Sequence, residues 1–266
     1  MSADASAFGV LLIGDELLTG KRRDKHLAKV IELLTARGLE LSWAVTVGDE
    51  PGRLTRTLGW TLAGDDAVFC FGGIGATPDD RTRQCAAAAA GVELEIHPQG
   101  RAELEAVFGE RLYPQRIHVV EWPPGAVLIP NPVNRVPGFS FARHHFLPGF
   151  PSMAWPMVEW VLDYHYADLA RAEHPVEYLL EALNTPESEL VPVMEAVMQA
   201  HPDVRLSCLP NAGNRRAIEF GLRGAPAAAA AAFRRLSVAL HERGVEQIPL
   251  SPPEKNDRQG TQSSKR

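Results

Sequence analysis

The stretch Ala67-Val68-Phe69-Cys70-Phe71-Gly72-Gly73-Ile74-Gly75-Ala76-Thr77-Pro78-Asp79-Asp80-Arg81-Thr82 decides the fold. Its five leading apolar residues read as a strand buried on both faces. Glycines then let the backbone turn sharply and approach a ligand closely. A helix-like segment through Cys85 to Ala90 follows. A helix start behind a glycine turn offers free N–H groups and the positive end of a dipole, which suits a phosphate. The pattern is neither GxGxxG nor GxxxxGK[ST], so it supports neither a Rossmann fingerprint nor a P-loop.

Outward from that turn the same rhythm repeats. Phe8 to Ile13 is another continuous apolar run, closed by Gly14-Asp15-Glu16. Asp24 to Arg37 has helical spacing at Leu27, Val30, Ile31 and Leu34, with Gly38 as its stop. Leu39 to Val47 reads as a second strand, ended by Gly48-Asp49-Glu50-Pro51, and Arg53 to Ala63 as a second helix. Three strand–helix units imply an α/β fold with a mostly parallel sheet and helices on both faces. Arg101 to Gly109 reads as a helix, and the Pro- and Gly-rich 116–146 region as short strands, one of them an antiparallel edge strand. Leu147-Pro148-Gly149-Phe150-Pro151 turns into an apolar helix over Met153 to Leu162.

Composition changes after Tyr166. A compact α+β module is expected over residues 174–248: strand Val176 to Leu180, helix Glu187 to Gln199, strands Val204 to Leu209 and Arg215 to Leu222, helix Ala225 to His241. Residues 249–266 are polar and read as a disordered tail.

Each of the first three strands ends in acid: Asp15 and Glu16, Asp49 and Glu50, Asp79 and Asp80. In an open parallel sheet the carboxyl ends of the strands share one rim, where ligands bind. Acids gathered there could hold Mg²⁺ against a diphosphate or orient a water. Simpler roles compete. Thr77-Pro78-Asp79-Asp80 makes a good helix start, with Thr77 as N-cap and Pro78 at the first helical position. Asp49-Glu50-Pro51 could equally begin a helix, and Gly14-Asp15 could only turn.

The remaining features exclude more than they suggest. With 266 residues, 45% hydrophobic content and a net charge of −6, there is no basic excess to draw nucleic acid or an anionic membrane. Cys70, Cys85 and Cys208 are few and lack metal-type spacing. No signal peptide or membrane-length apolar run is visible, so a cytoplasmic protein is expected. His144-His145 should send one ring inward and one outward, and His26 lies close enough to reach the rim. There is no GxSxG elbow.

Three segments together resemble the molybdopterin-binding (MoaB/MogA-like) domain: Gly14-Asp15-Glu16-Leu17-Leu18, Thr46-Val47-Gly48-Asp49-Glu50-Pro51, and the turn from Gly72 to Thr82. The subgroup they resemble most is the N-terminal part of the competence/damage-inducible CinA proteins. Ile129-Pro130-Asn131-Pro132-Val133 and Leu147-Pro148-Gly149-Phe150-Pro151 also look like CinA segments. The resemblance runs from about Phe8 to Tyr166, and the C-terminal module is similar to the KH-like domain that follows in CinA.

The resemblance implies a three-layer α/β/α domain over residues 8–166 and a homo-oligomer, dimer or trimer. It implies a phosphate- or pyrophosphate-bearing ligand, molybdopterin or a nucleotide. Asp49 and Asp80 match the family aspartates and are the expected catalytic residues and divalent-metal ligands. Gly14, Asp15, Gly72, Gly73, Gly75, Thr77, Thr82, Asn131, Pro148 and Gly149 are the expected ligand contacts. Two activities are implied: adenylylation of molybdopterin, or metal-dependent cleavage of ADP-ribose. A binding module without turnover is the alternative.

The chain departs from the family at Asp15, where CinA-like sequences carry a small residue. It also departs at Lys25-His26, which replaces Thr-Asn, and at Met153, which replaces a Glu. The resemblance ends before the amidohydrolase domain of full-length CinA, so deamidation of nicotinamide mononucleotide is not expected. RNA binding by the KH-like module is not expected either, because it lacks a GxxG loop with basic flanks.

Overall fold

A computed structural model describes residues 7–171, 173–211 and 217–250. The chain divides into two compact units, Met1–Ala172 and Glu173–Arg266.

The first unit follows the strand–helix rhythm. Its elements run β1 (Phe8–Ile13), α1 (Asp15–Leu18), α2 (His26–Thr35), β2 (Leu41–Val47), α3 (Pro51–Leu62), β3 (Ala67–Phe71), α4 (Thr82–Ala90), β4 (Glu95–Ile96), α5 (Pro98–Phe108), β5 (Glu121–Trp122), β6 (Val127–Ile129), β7 (Gly138–Phe141), β8 (His144–Leu147) and α6 (Pro151–His165). The main sheet has the order β2-β1-β3-β8-β7-β6. β2, β1, β3 and β8 pair in parallel. β4 and β5 form a separate short antiparallel pair.

Alternate residues of β1 enter different cores. Val10 and Leu12 pack with Val30 and Leu34 of α2 and Val158 of α6. Leu11 and Ile13 pack with Leu54 and Leu58 of α3 and Ala86 of α4. That double burial explains why β1 and β3 are unbroken apolar runs rather than alternating ones.

Two expectations change. The edge strand β6 pairs antiparallel as expected, but it is not the sole antiparallel addition: β7 pairs antiparallel with both β8 and β6. The β7–β8 hairpin turns through Ala142 and Arg143, both at positive φ (46° and 61°), the geometry of a tight hairpin turn without its usual glycine or asparagine. Nor does either ring of His144-His145 face out. The two rings do take opposite faces, but both faces are covered and both are buried. His144 Nε2 meets the Thr61 hydroxyl at 2.9 Å. His145 lies between the Ser140 hydroxyl and Tyr166 Oη, 2.8 Å from each.

The second unit comprises β9 (Val176–Leu183), α7 (Glu187–Ala200), β10 (Arg205–Pro210), β11 (Ala217–Gly224), α8 (Pro226–Glu242) and β12 (Glu246–Leu250). Its antiparallel sheet has the order β10-β11-β9-β12, and Leu180, Phe220 and Leu222 pack with Leu190, Leu236 and Leu240 of the two helices. β12 takes in residues 249 and 250, which the sequence assigns to the tail; Pro249 is tolerated because β12 is an edge strand. The rest of the tail, and the start of the strand expected from Arg215, lie outside the described residues.

Candidate active site at the carboxyl rim of the sheet

The loops after β1, β2 and β3 converge, and their acids divide into different tasks. Asp15 and Asp49 clasp each other: the Asp15 amide donates to Asp49 Oδ2 at 2.9 Å, and the Asp49 amide donates to Asp15 Oδ1 at 3.1 Å. The neighbouring Gly14 amide donates to Val47 O at 3.0 Å, which ties the end of β1 to the end of β2. A Cβ at Gly48 would overlap the Asp15 carboxylate, so a side chain there would push that carboxylate off the Asp49 amide. Burial pushes the Asp49 carboxyl above its ordinary range; the Asp15 amide pulls it down, and the charges of Asp15, Glu16 and Asp79 add to the rise. Glu50 is a helix cap: its carboxylate accepts from the Gly52 and Arg53 amides at 2.8 Å each, which holds its pKa below the usual value. The alternatives at Asp49-Glu50 thus separate, with Glu50 as the cap and Asp49 facing Asp15.

The glycine turn is built from below. Gly72 and Gly73 lie at φ +107° and +66°, where a side chain would be strained. A Cβ on Gly72 would strike the Ile13 carbonyl, one on Gly73 the Thr82 hydroxyl, and one on Gly75 the Asp80 carboxylate. Thr82 is fully buried beneath the turn, its hydroxyl donating to Gly72 O and its amide to Gly73 O, each at 2.9 Å. It shapes the turn rather than lining its open side. The Gly72 amide donates to Leu147 O at 3.0 Å. Among the described residues, the amides of Gly73, Ile74 and Gly75 find no protein acceptor.

Helix α4 begins at Thr82, not at Pro78, so Thr77 is not its N-cap. Thr77 to Asp80 is instead a closed turn. The Asp80 amide donates to Thr77 O at 3.0 Å, and Asp80 Oδ2 accepts from the Thr77 amide at 3.2 Å and from its hydroxyl. Asp80 Oδ1 has no partner among the described residues.

Arg83 escaped the sequence reading. It is almost fully buried, with Nη2 donating to Gly75 O at 2.7 Å and Nη1 donating to His118 O. Burial lowers its pKa, while Glu121 and Asp80 favour the charged form. One cation thus fastens the outer end of the glycine turn.

The third wall is the loop Leu147 to Pro151. His26 Nε2 lies 3.2 Å from Gly149 O, and the His26 ring stacks on Phe71 with centroids 4.3 Å apart. Burial lowers the His26 pKa, so the neutral ring donates from Nε2 and its Nδ1 is left without a partner. Asn131 is buried and spends its side chain on its own loop, with Nδ2 donating to Val136 O and Oδ1 accepting from the Val133 amide, both at 3.0 Å.

Three clefts meet at Gly149 and Phe150. The central one, about 510 Å³, holds Gly14, Gly73, Thr77, Asp49 and Asp80, together with Lys21 and Arg22. A second, about 210 Å³, runs past Ile74, Asp80, Asn131 and Pro148 to Met153. A third, about 290 Å³, is walled by Arg22, Lys25, His26 and Phe71. Lys21 and Arg22 were also missed, although the run Lys21-Arg22-Arg23 just after Gly20 is a visible signal of local positive charge. Asp15 does not line the central cleft; it contributes by holding Asp49. Among the described residues, no helix is long and apolar enough to cross a membrane.

Comparison with known proteins agrees with this architecture. A family described as "Probable molybdopterin binding domain" (MoCF_biosynth) matches residues 9–167. A protein from Pyrobaculum arsenaticum is 28% identical over 212 residues, covering 76% of this chain and 78% of its own length. A CinA-like protein from Geobacter sulfurreducens is 36% identical over 156 residues, covering 56% of this chain and 38% of its own length. Another, from Anaeromyxobacter, is 34% identical over 197 residues, covering 71% and 48%. The chain therefore spans less than half the length of these two CinA-like relatives. The crystal structure of the protein CinA, of unknown function, from Thermoplasma acidophilum superposes with a TM-score of 0.56 at 26% identity, over 60% of this chain and 98% of that one. The chain belongs to the molybdopterin-binding-domain (MoCF_biosynth) family, and its first unit is a CinA-like member of it.

Proposed function

We propose that the first unit binds a phosphate- or pyrophosphate-bearing nucleotide or pterin in the central cleft, and that Asp49 and Asp80 act with a divalent cation on the pyrophosphate link. The observation that carries this reading is the glycine turn with its three unpaired amides: Gly73 lines the central cleft with Lys21, Arg22, Asp49 and Asp80, and Ile74 and Gly75 line the second cleft on the other side of Asp80. Amides and cations receive the phosphate oxygens. Each carboxylate commits one oxygen, Asp49 Oδ2 to the Asp15 amide and Asp80 Oδ2 to Thr77, and has a second oxygen to offer.

Among the described residues no three His, Cys, Asp or Glu side chains gather into a ready metal cage. Magnesium does not require one, because it is commonly held by one or two carboxylates completed by substrate phosphates and water. Asp80, with Oδ1 unpartnered, and Asp49 suit that role. A bound cation would supply charge neutralisation at the phosphates. In this reading Asp49, whose basicity is raised by burial, orients and deprotonates an attacking water. Arg83 and Thr82 keep the turn in register.

Calorimetry with ADP-ribose, AMP and molybdopterin, with and without Mg²⁺, tests binding; turnover of ADP-ribose with Mg²⁺, Mn²⁺ or Co²⁺ tests chemistry. Binding that weakens in Lys21→Ala/Arg22→Ala, with turnover lost in Asp49→Asn and Asp80→Asn, is the expected result. A well-folded chain that binds none of the three ligands would overturn it.

One observation favours binding without turnover. Met153, standing where the resemblance implies a Glu, lines the second cleft and accepts from Asn134 Nδ2 at 3.1 Å, so Asp80 has no second carboxylate from that position beside it. Binding with no hydrolysis under any of the three cations would select that reading.

A further inference from the structure

Phe150 breaks two local rules at once. It occupies the N-cap of α6 in an extended conformation, where Ser, Thr, Asp or Asn would ordinarily accept from the first helical amides; its side chain makes no cap. It is also 54% exposed, a large aromatic ring left at the surface. Neither capping nor core packing accounts for the ring. Its position does, because Phe150 borders all three clefts and lies next to Gly149 on the rim of the phosphate cleft. The Arg22 guanidinium stands over the ring, 5.9 Å from its centroid. Arg22 borders both the central cleft and the cleft walled by His26. An exposed aromatic face paired with a guanidinium plane is how proteins hold an unpaired base, since every heterocycle offers a π-face to both.

We propose that Phe150 and Arg22 form a stacking platform that holds the planar heterocycle of the ligand in the His26-walled cleft, while its phosphate sits on the glycine turn. The proposal rests on the phosphate reading above and adds to it where the flat, nitrogen-containing ring of the ligand lies and which side chains hold it. His26 closes the cleft, its neutral ring fixed by Gly149 and stacked on Phe71.

The test separates ring from phosphate by titrating the full chain with AMP and with ribose 5-phosphate, which keeps the sugar and phosphate and lacks the ring. The wild-type chain should prefer AMP by at least about fivefold, the lower end of what one stacked base contributes. Phe150→Ala should remove that preference while leaving ribose 5-phosphate affinity unchanged, and Phe150→Tyr should restore it. The side chain is exposed, so the melting temperature of the variants should match the wild type and serves as the folding control. Equal affinities of the wild-type chain for the two ligands, or a Phe150→Ala variant that keeps the AMP preference, would overturn the platform and leave the phosphate site standing. Failure of the wild-type chain to bind either ligand would overturn the phosphate site, and the platform with it.

Discussion

Replacing Thr82 with valine isolates the contact that shapes the glycine turn. The substitution keeps the branched shape and deletes one hydroxyl, which is fully buried and donates to Gly72 O at 2.9 Å. Its loss removes a hydrogen bond worth about 1 kcal/mol and leaves a buried carbonyl unpaired, a penalty of about 1–3 kcal/mol. The added methyl returns about 0.8 kcal/mol through burial. The net expectation is a loss of about 1–3 kcal/mol, which corresponds to a melting-temperature fall of roughly 2–12 °C. All five tryptophans, Trp43, Trp60, Trp122, Trp155 and Trp160, lie in the first unit, so urea unfolding followed by tryptophan fluorescence reports on that unit alone. The same variant should bind AMP more weakly if the turn it loosens is the phosphate cradle proposed above. A Thr82→Val chain within about 0.3 kcal/mol of wild type, with AMP affinity intact, would refute the argument that this hydroxyl sets the turn.

Other consequences can be measured alongside. Because burial raises the folded pKa of Asp49, the folded state holds its proton more tightly than the unfolded one, and stability is lost as pH rises from the ordinary value of 3.8 through that raised pKa. Asp49→Asn should therefore melt higher than wild type at pH 7, with the gain vanishing near pH 4, while turnover is abolished; a variant less stable at pH 7 would contradict this. His144 is held neutral down to about 4 and His145 well below its ordinary 6.5, both by burial. Between pH 6.5 and 4 the unfolded chain takes up protons that these rings refuse, so urea midpoints should fall as pH drops through that window, less steeply in His144→Gln. A flat profile from pH 7 to 5 would count against that assignment. Gly73→Ala places a side chain at φ +66° and against the Thr82 hydroxyl, so it should cost at least about 1 kcal/mol and eliminate AMP binding. Lys21→Ala/Arg22→Ala should weaken AMP about tenfold or more at low salt and flatten the dependence of affinity on ionic strength; unchanged salt dependence would remove these two cations from the phosphate site.

Much of this architecture is legible in the chain because the sheet is buried on both sides. Phe8–Ile13 and Ala67–Phe71 are continuous apolar runs, and the structure bounds both strands at those residues. The rule that parallel strands share a carboxyl rim then collects Asp15, Asp49 and Asp80 from the strand pattern alone. What local reading misses is whatever tertiary context supplies. Thr77-Pro78-Asp79-Asp80 has the composition of a helix start, but Asp80 folds back on Thr77 and α4 waits until Thr82. Arg83 sits in an alanine-rich segment with no sign that its guanidinium is buried against Gly75 and His118 carbonyls brought together by the fold. The Ala142-Arg143 turn carries neither the Gly nor the Asn that marks a hairpin. β12, with two charged or amide residues and a proline among five, is a strand only because β9 offers its edge. At Asp49-Glu50 the chain alone cannot divide the labour between two adjacent acids; the hydrogen bonds to Gly52 and Arg53 do.

Whether the glycine turn cradles a phosphate-bearing ligand beside Asp49 and Asp80 is decided by thermal unfolding of the full chain against increasing ADP-ribose with and without Mg²⁺. A ligand that binds only the folded chain must stabilise it, by about 2.7 kcal/mol at a hundredfold excess over Kd. A saturable rise in melting temperature is expected, larger with Mg²⁺ in the wild-type chain, independent of Mg²⁺ in Asp80→Asn, and absent in Gly73→Ala. A melting temperature that ADP-ribose leaves unmoved, with or without the cation, or a rise that survives Gly73→Ala undiminished, would contradict the cradle.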